Sequence, residues 1–138
     1  MIEQLEESAR LIGSLLEREP NSDPYLNVAI AVDRRLGDAL ALMKRSGEAI
    51  EHQIKAREAA TRLLAGPNGP AARQQLLMVT AKLALLYAEA GDPRGSTLAQ
   101  LAATELSARP IEAPGVEAVV RADLARVSAL GYRWHFGQ

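Results

Sequence analysis

Proline and glycine interrupt this sequence at regular intervals, and amphipathic helical patterns fill the stretches between them. Proline lacks the amide hydrogen that a helix interior needs, and glycine often ends a helix in the left-handed conformation. Between these breaks, apolar residues recur every three or four positions, which is the period of one helix face. The composition agrees, since alanine and leucine dominate the apolar residues and aromatic residues make up only 4%. The sequence therefore predicts an all-α protein.

The breaks divide the chain into six predicted helices within a single domain, 1–138. Gly66-Pro67-Asn68-Gly69-Pro70 is the clearest turn, and Gly131 is expected to end the last helix. The predicted segments are a leading helix (1–19), a first hairpin (24–66), a second hairpin (70–109), a capping helix (114–130) and an aromatic tail (131–138). Six helices joined by short loops form either a helical bundle or a helical solenoid.

An internal repeat favours the solenoid. In each of five pairs of residues, 47 positions separate the two members. The pairs are Leu36 and Leu83, Gly37 and Ala84, Leu40 and Tyr87, Ala49 and Ser96, and Ala56 and Ala103. In a helical hairpin, the small residue after the leucine lets two helices approach closely. The large residue one turn later then fills the space between repeats.

These positions are the ones that define tetratricopeptide repeats, and the sequence resembles that family over about Tyr25 to Pro110. Tyr25-Leu26 together with the segment 32–38 is most similar to the repeats appended to bacterial serine/threonine kinases and related signalling proteins. The sequence departs from the family in its period, which is usually about 34 residues. Gln53 and Gln100 also stand where the second helix usually carries a bulky aromatic residue. The resemblance implies a solenoid of helical hairpins.

Charge and composition exclude several classes of function. The net charge of −1 argues against a general nucleic-acid binder, which needs a basic excess to neutralise phosphates. No apolar run approaches 18 residues, so no membrane-spanning helix is predicted. Cysteine is absent, which removes disulfides, thiol nucleophiles and thiolate metal ligands together. A cytoplasmic location is expected.

Catalytic and metal-binding patterns are not found. His52 and His135 are the only histidines, and neither stands at a metal-ligand spacing from another ligand. His52 lies in a charged row and is expected to be exposed. The glycines of 66–70 lack the lysine and hydroxyl of a phosphate-binding loop and are interpreted as a turn. We therefore expect no catalytic residue, no metal, no cofactor and no enzymatic activity.

Binding of a protein or peptide segment is the predicted function. The resemblance implies a concave surface, lined by the first helix of each hairpin, that can hold such a segment. On these helices the helical phase indicates which residues lie on the arc opposite the predicted core. The predicted peptide-binding residues are Ala31, Arg34, Asp38, Ala41, Arg45, Met78, Ala81, Leu85 and Ala88. The helix from Leu76 to Ala90 is apolar nearly all round, so a peptide, a second copy of the chain or flanking helices must cover it. The hypothesis is a non-enzymatic scaffold that forms part of a bacterial signalling protein; the alternatives are a homo-oligomerisation module and a small-molecule-sensing helical domain.

The C-terminal tail concentrates aromatic residues that are rare elsewhere. Tyr132, Trp134 and Phe136 fall within five residues of one another. Tyr and Trp are favoured anchors at protein interfaces, so these three are candidate contacts in a homodimer. The alternative is that the tail folds back onto the last two helices.

Overall fold

Six α-helices make up the protein in a computed structural model, which describes residues 1–67 and 69–135, and the side chains of these up to residue 131. The helices are α1 (Ile2–Arg18), α2 (Asp23–Leu42), α3 (Ser46–Leu64), α4 (Gly69–Glu89), α5 (Arg94–Ala108) and α6 (Pro114–His135). No strand occurs in these two ranges. The predicted all-α class is therefore confirmed, while the solenoid arrangement stays a prediction.

The chain divides into two compact units, Met1–Leu76 and Leu77–Gln138, which we call the N-terminal and C-terminal units. The N-terminal unit contains α1, α2, α3 and the beginning of α4. Its hydrophobic core consists of Ile12, Leu26, Ala29, Ile30, Ala59, Ala60, Leu63 and Ala72. Ser22 is the N-cap of α2. Its side-chain oxygen accepts a hydrogen bond from the N–H of Tyr25, which would otherwise be unpaired.

The C-terminal unit contains the rest of α4 with α5 and α6. One of its apolar clusters comprises Leu77, Ala81, Ala102, Leu106, Ile111 and Val120, and a second comprises Ala84, Leu85, Ala88 and Val127. The last helix runs through Gly131 to His135, so the predicted end at Gly131 is wrong. A glycine ends a helix when it takes the left-handed conformation, and Gly131 keeps helical geometry instead.

The turns that follow α2 and α4 have the same geometry. Lys44 has a φ of 63°, and the N–H of Arg45 donates to the carbonyl oxygen of Leu40 at 2.9 Å. In the C-terminal unit, Gly91 has a φ of 75°, and the N–H of Asp92 donates to Tyr87, also at 2.9 Å. This six-residue hydrogen bond around a left-handed residue is a common helix end. Lys44 and Gly91 are 47 positions apart, the same separation as in the five sequence pairs.

Between α3 and α5, the second helices of the two hairpins, the buried small residues are 46 positions apart instead of 47. Gly95 and Ala102 are buried, whereas Ser96 and Ala103, the predicted partners of Ala49 and Ala56, are exposed. At Gly95, α5 approaches α4 closely. A Cβ atom at Gly95 would lie 2.7 Å from both the Ala84 oxygen and the Ala88 nitrogen, so only glycine fits there.

Candidate binding cleft

A cleft of about 460 Å³ opens between α1, α2 and α3 in the N-terminal unit. Small residues form much of its surface: Ala9 and Gly13 on α1, Ala29 on α2 and Ala59 on α3. The larger apolar residues are Ile12 and Leu16, and the charged or polar ones are Glu6, Arg10, Asp33, His52, Lys55, Glu58 and Arg62. We refer to this space as the α1–α3 cleft. Helical spacing explains the lining, since Asp33 lies one turn after Ala29 and Ala59 one turn after Lys55.

Asp33 and His52 meet within this cleft. Oδ1 of Asp33 and Nδ1 of His52 lie 2.9 Å apart, and the side chains are only 9% and 16% exposed. When Asp33 is ionised its carboxylate can only accept hydrogen bonds, and the Nδ1–H of His52 then donates to it. The prediction that His52 is exposed is therefore wrong. On α3, His52 stands one turn after the buried Ala49, and this brings its ring against α2.

Burial raises the pKa of the Asp33 carboxyl. Desolvation disfavours the charged form, and the hydrogen bond and charge of His52 offset part of that effect. The charge of Lys55 acts in the same direction as His52 but less strongly. The Asp33 carboxylate has therefore lost hydration that its interactions with His52 and Lys55 only partly replace.

The charges around the opening are mixed. Arg10 lines the cleft and pairs with Glu7, which does not. Glu6 on α1 and Glu58 on α3 supply negative charge, while Lys55 and Arg62 supply positive charge. Neither wall therefore favours a bound molecule of one particular charge. Asp33 differs from these groups because its side chain is buried.

A second polar contact joins α2 and α3 away from the cleft. Gln53 is 1% exposed, and its Nε2 donates to Oδ1 of Asp38 at 3.1 Å. Its Oε1 is buried and has no hydrogen-bond partner among the described residues. A Cβ atom on Gly37 would lie 2.7 Å from Nε2 of Gln53, so the glycine makes room for this side chain. Both residues stand out in the sequence, but helical phase alone does not predict this contact.

The predicted peptide-binding residues of α2 and α4 differ in exposure. Those of α2 and of the turn after it reach the surface: Ala31, Asp38 and Arg45 are exposed, and Arg34 and Ala41 are half-buried. Three of them are engaged: Arg34 donates to Oε1 of Gln75 at 2.8 Å, Arg45 pairs with Glu48, and Asp38 accepts from Gln53. Peptide binding by this face remains a prediction.

On α4, Met78 is half-buried, but Ala81, Leu85 and Ala88 lie in the core of the C-terminal unit. Leu85 is only 1% exposed and shares a cluster with Val127 of α6. Ala81 shares the other cluster with Ala102 and Leu106 of α5. Flanking helices therefore cover these three residues, which do not line an open surface.

The remaining predictions concern the tail, metals and membranes. Phe136 and the side chains of Tyr132 and Trp134 lie outside the described residues. In the part of the chain that the structure describes, no group of three His, Cys, Asp or Glu residues is placed to hold a metal ion. None of the helices described is both long and apolar enough to cross a membrane. Comparison of the chain with protein-family models, curated proteins and solved structures finds no match.

Proposed function

We propose that the protein is a non-enzymatic binding module that holds a peptide or protein segment, and that the segment lies in the α1–α3 cleft. The observation that carries the proposal is the cleft itself. Its volume of about 460 Å³ falls within the range of roughly 300–1,000 Å³ that is usual for binding sites. Its surface combines small apolar residues with a few convergent polar groups, which is also usual for such sites.

The length of the cleft favours an extended segment. Its lining on α1 extends from Glu6 to Leu16, and its lining on α3 extends from His52 to Arg62. With a rise of about 1.5 Å per helical residue, each wall is roughly 15 Å long. An extended chain advances about 3.3 Å per residue, so four or five residues span that length. The resemblance to tetratricopeptide repeats adds support by analogy only.

Gly13 leaves part of this space open. A Cβ atom added to Gly13 would meet nothing within 4 Å. Glycine in a helix interior costs about 1 kcal/mol relative to alanine, and close packing does not require it here. A peptide side chain would occupy the space that the missing side chain leaves.

Filling the cleft tests the proposal. Heptapeptides are selected from a phage-displayed random library on the wild-type protein, and their affinities are then measured by fluorescence anisotropy. We expect Gly13→Leu to weaken them by at least about tenfold, a loss of about 1.4 kcal/mol. Leucine is a good helix former, so this variant is expected to stay folded.

Gly47→Leu is the matched control, because Gly47 lies on α3 outside the cleft and an added Cβ atom also meets nothing there. We expect this variant to keep the wild-type affinities. Peptides that bind Gly13→Leu as tightly as wild type would contradict the proposal.

A further inference from the structure

We infer that the α1–α3 cleft anchors its peptide through a lysine side chain, whose ammonium group binds the carboxylate of Asp33. This inference rests on the proposed function and names the chemistry of the segment that binds. It is carried by the position of one buried carboxylate in an open cleft.

Asp33 has the properties of an anchor for a cation. Its side chain is only 9% exposed, yet it contributes to the lining of the cleft. Its neighbour Lys55 influences it through charge and not through a hydrogen bond. Burial also raises the pKa of the Asp33 carboxyl, so ionised Asp33 lacks compensation that a bound ammonium group would supply.

The bond with His52 favours lysine over arginine. Nδ1 of His52 bonds to Oδ1 of Asp33, which leaves Oδ2 outside that bond. A guanidinium group binds a carboxylate best through two parallel hydrogen bonds that use both oxygens. An ammonium group acts as a compact charge and can bind the one oxygen that His52 leaves.

The rest of the cleft suits the lysine stem. Its four methylene groups can pack along Ile12, Leu16 and Ala29 while the charged end reaches Asp33. The other charged groups that line the cleft are Glu6, Arg10, Lys55, Glu58 and Arg62. These are two acids and three bases, so the wall charges do not themselves select a cation. The selectivity comes from Asp33.

The test uses the peptides selected on the wild-type protein. We expect the cleft-binding peptides, which are those that Gly13→Leu weakens, to contain lysine. Replacing that lysine by Nε-acetyl-lysine keeps the methylene stem and removes the side-chain charge. We expect this replacement to lower the affinity by about tenfold or more. This comparison leaves the protein unchanged, so it does not depend on the folding of a variant.

Two protein variants complete the test. Asp33→Asn keeps the shape and an oxygen for His52 but loses the charge, so it should bind the lysine and acetyl-lysine peptides equally. Lys55→Met removes a repelling charge and should bind the lysine peptides a few-fold more tightly. Persistence of the lysine preference in Asp33→Asn would overturn the inference.

The remaining outcomes separate the two proposals. Cleft-binding peptides that lack lysine would refute the lysine anchor and leave the proposed function standing. Selected peptides that are all insensitive to Gly13→Leu would refute both. Competition with n-butylamine addresses a free amine as the occupant. We expect no displacement at concentrations where a lysine peptide competes, and displacement equal to that of the peptide would overturn the peptide anchor.

Discussion

The hairpins α2–α3 and α4–α5 share one turn geometry and differ in what lies between their helices. In α4–α5 the contact is close to the backbone, because Gly95 approaches the main chain of Ala84 and Ala88. In α2–α3 the glycine is on the first helix instead, and Gly37 faces the side chain of Gln53. Both glycines permit a close approach, but only the first hairpin inserts a polar side chain into it.

This difference indicates that the α4–α5 contact serves stability, whereas the α2–α3 hairpin has the polar groups that a binding site needs. Around Gly95 the neighbours are small and apolar, which gives a dense contact that has little to offer a ligand. The α2–α3 hairpin retains Asp33, His52 and Gln53 at buried or nearly buried positions, and one oxygen of Gln53 has no described partner. Buried polar groups cost free energy unless they are fully satisfied, so a hairpin that keeps three of them is a better place to look for function.

Substituting the two glycines tests this difference between the hairpins directly. We expect Gly95→Ala to lower the free energy of unfolding by about 1–3 kcal/mol, because the new methyl group meets backbone atoms that cannot move independently. Gly37→Ala should cost less than about 1 kcal/mol, since Gln53 can rotate away and alanine is the better helix former. Urea unfolding followed by circular dichroism measures both.

The double variant Gly37→Ala/Gln53→Ala is the control for that explanation. With the glutamine side chain gone, the substitution at Gly37 should become neutral or stabilising. An equal loss of stability from Gly37→Ala in both backgrounds would show that something other than Gln53 restricts this position, and the contrast between the hairpins would not hold.

The helices themselves could be predicted because their ends are encoded locally. Proline and glycine mark most of the boundaries, and the left-handed turn at Gly91 follows from the tolerance of glycine for that conformation. The turn at Lys44 has no such signal, since a lysine rarely adopts a positive φ. Lys44 does, however, precede Gly91 by 47 residues, which is the separation of the repeat.

The cleft could not be predicted because it depends on helical phase and on distant partners. An apolar stripe on α2 through Leu26, Ile30 and Gly37 passes through Asp33, and a strict reading of that period would have placed the carboxylate inside. The coverage of Leu85 by Val127 joins residues that are 42 positions apart, and no local pattern encodes such a contact. Helical phase could therefore have found Asp33, whereas the cover over α4 required the fold.

The pH dependence of stability tests the cost of burying Asp33, because its pKa is raised in the folded protein. The folded state then binds the Asp33 proton more tightly than the unfolded state does. The stability that Asp33 contributes is thus fully present below the ordinary value of 3.8 and is lost as the pH rises through the folded pKa. Asp33→Asn avoids that loss, so its advantage over wild type should grow as the pH rises and then level off.

Urea unfolding of both proteins from about pH 4 to about pH 7 measures this difference. A variant that is less stable than wild type near neutral pH would mean that the pairing with His52 outweighs the cost of burial. The cleft would then hold a satisfied structural pair, and the case for an external cation would weaken.

Gly13→Ala gives the smallest expected effect and completes the comparison of glycines. Gly13 and Gly95 both lie in helices, but a Cβ atom at Gly13 meets nothing within 4 Å, whereas one at Gly95 meets backbone. The change should therefore raise the free energy of unfolding by about 0.5–1 kcal/mol, which is the difference in helix propensity. Thermal and urea unfolding measure this gain. A loss of stability would mean that α1 packs into the space beside Gly13, in which case the cleft is closed and cannot admit a peptide. A gain means that this glycine is not kept for packing, so the open space that it leaves is free for a ligand.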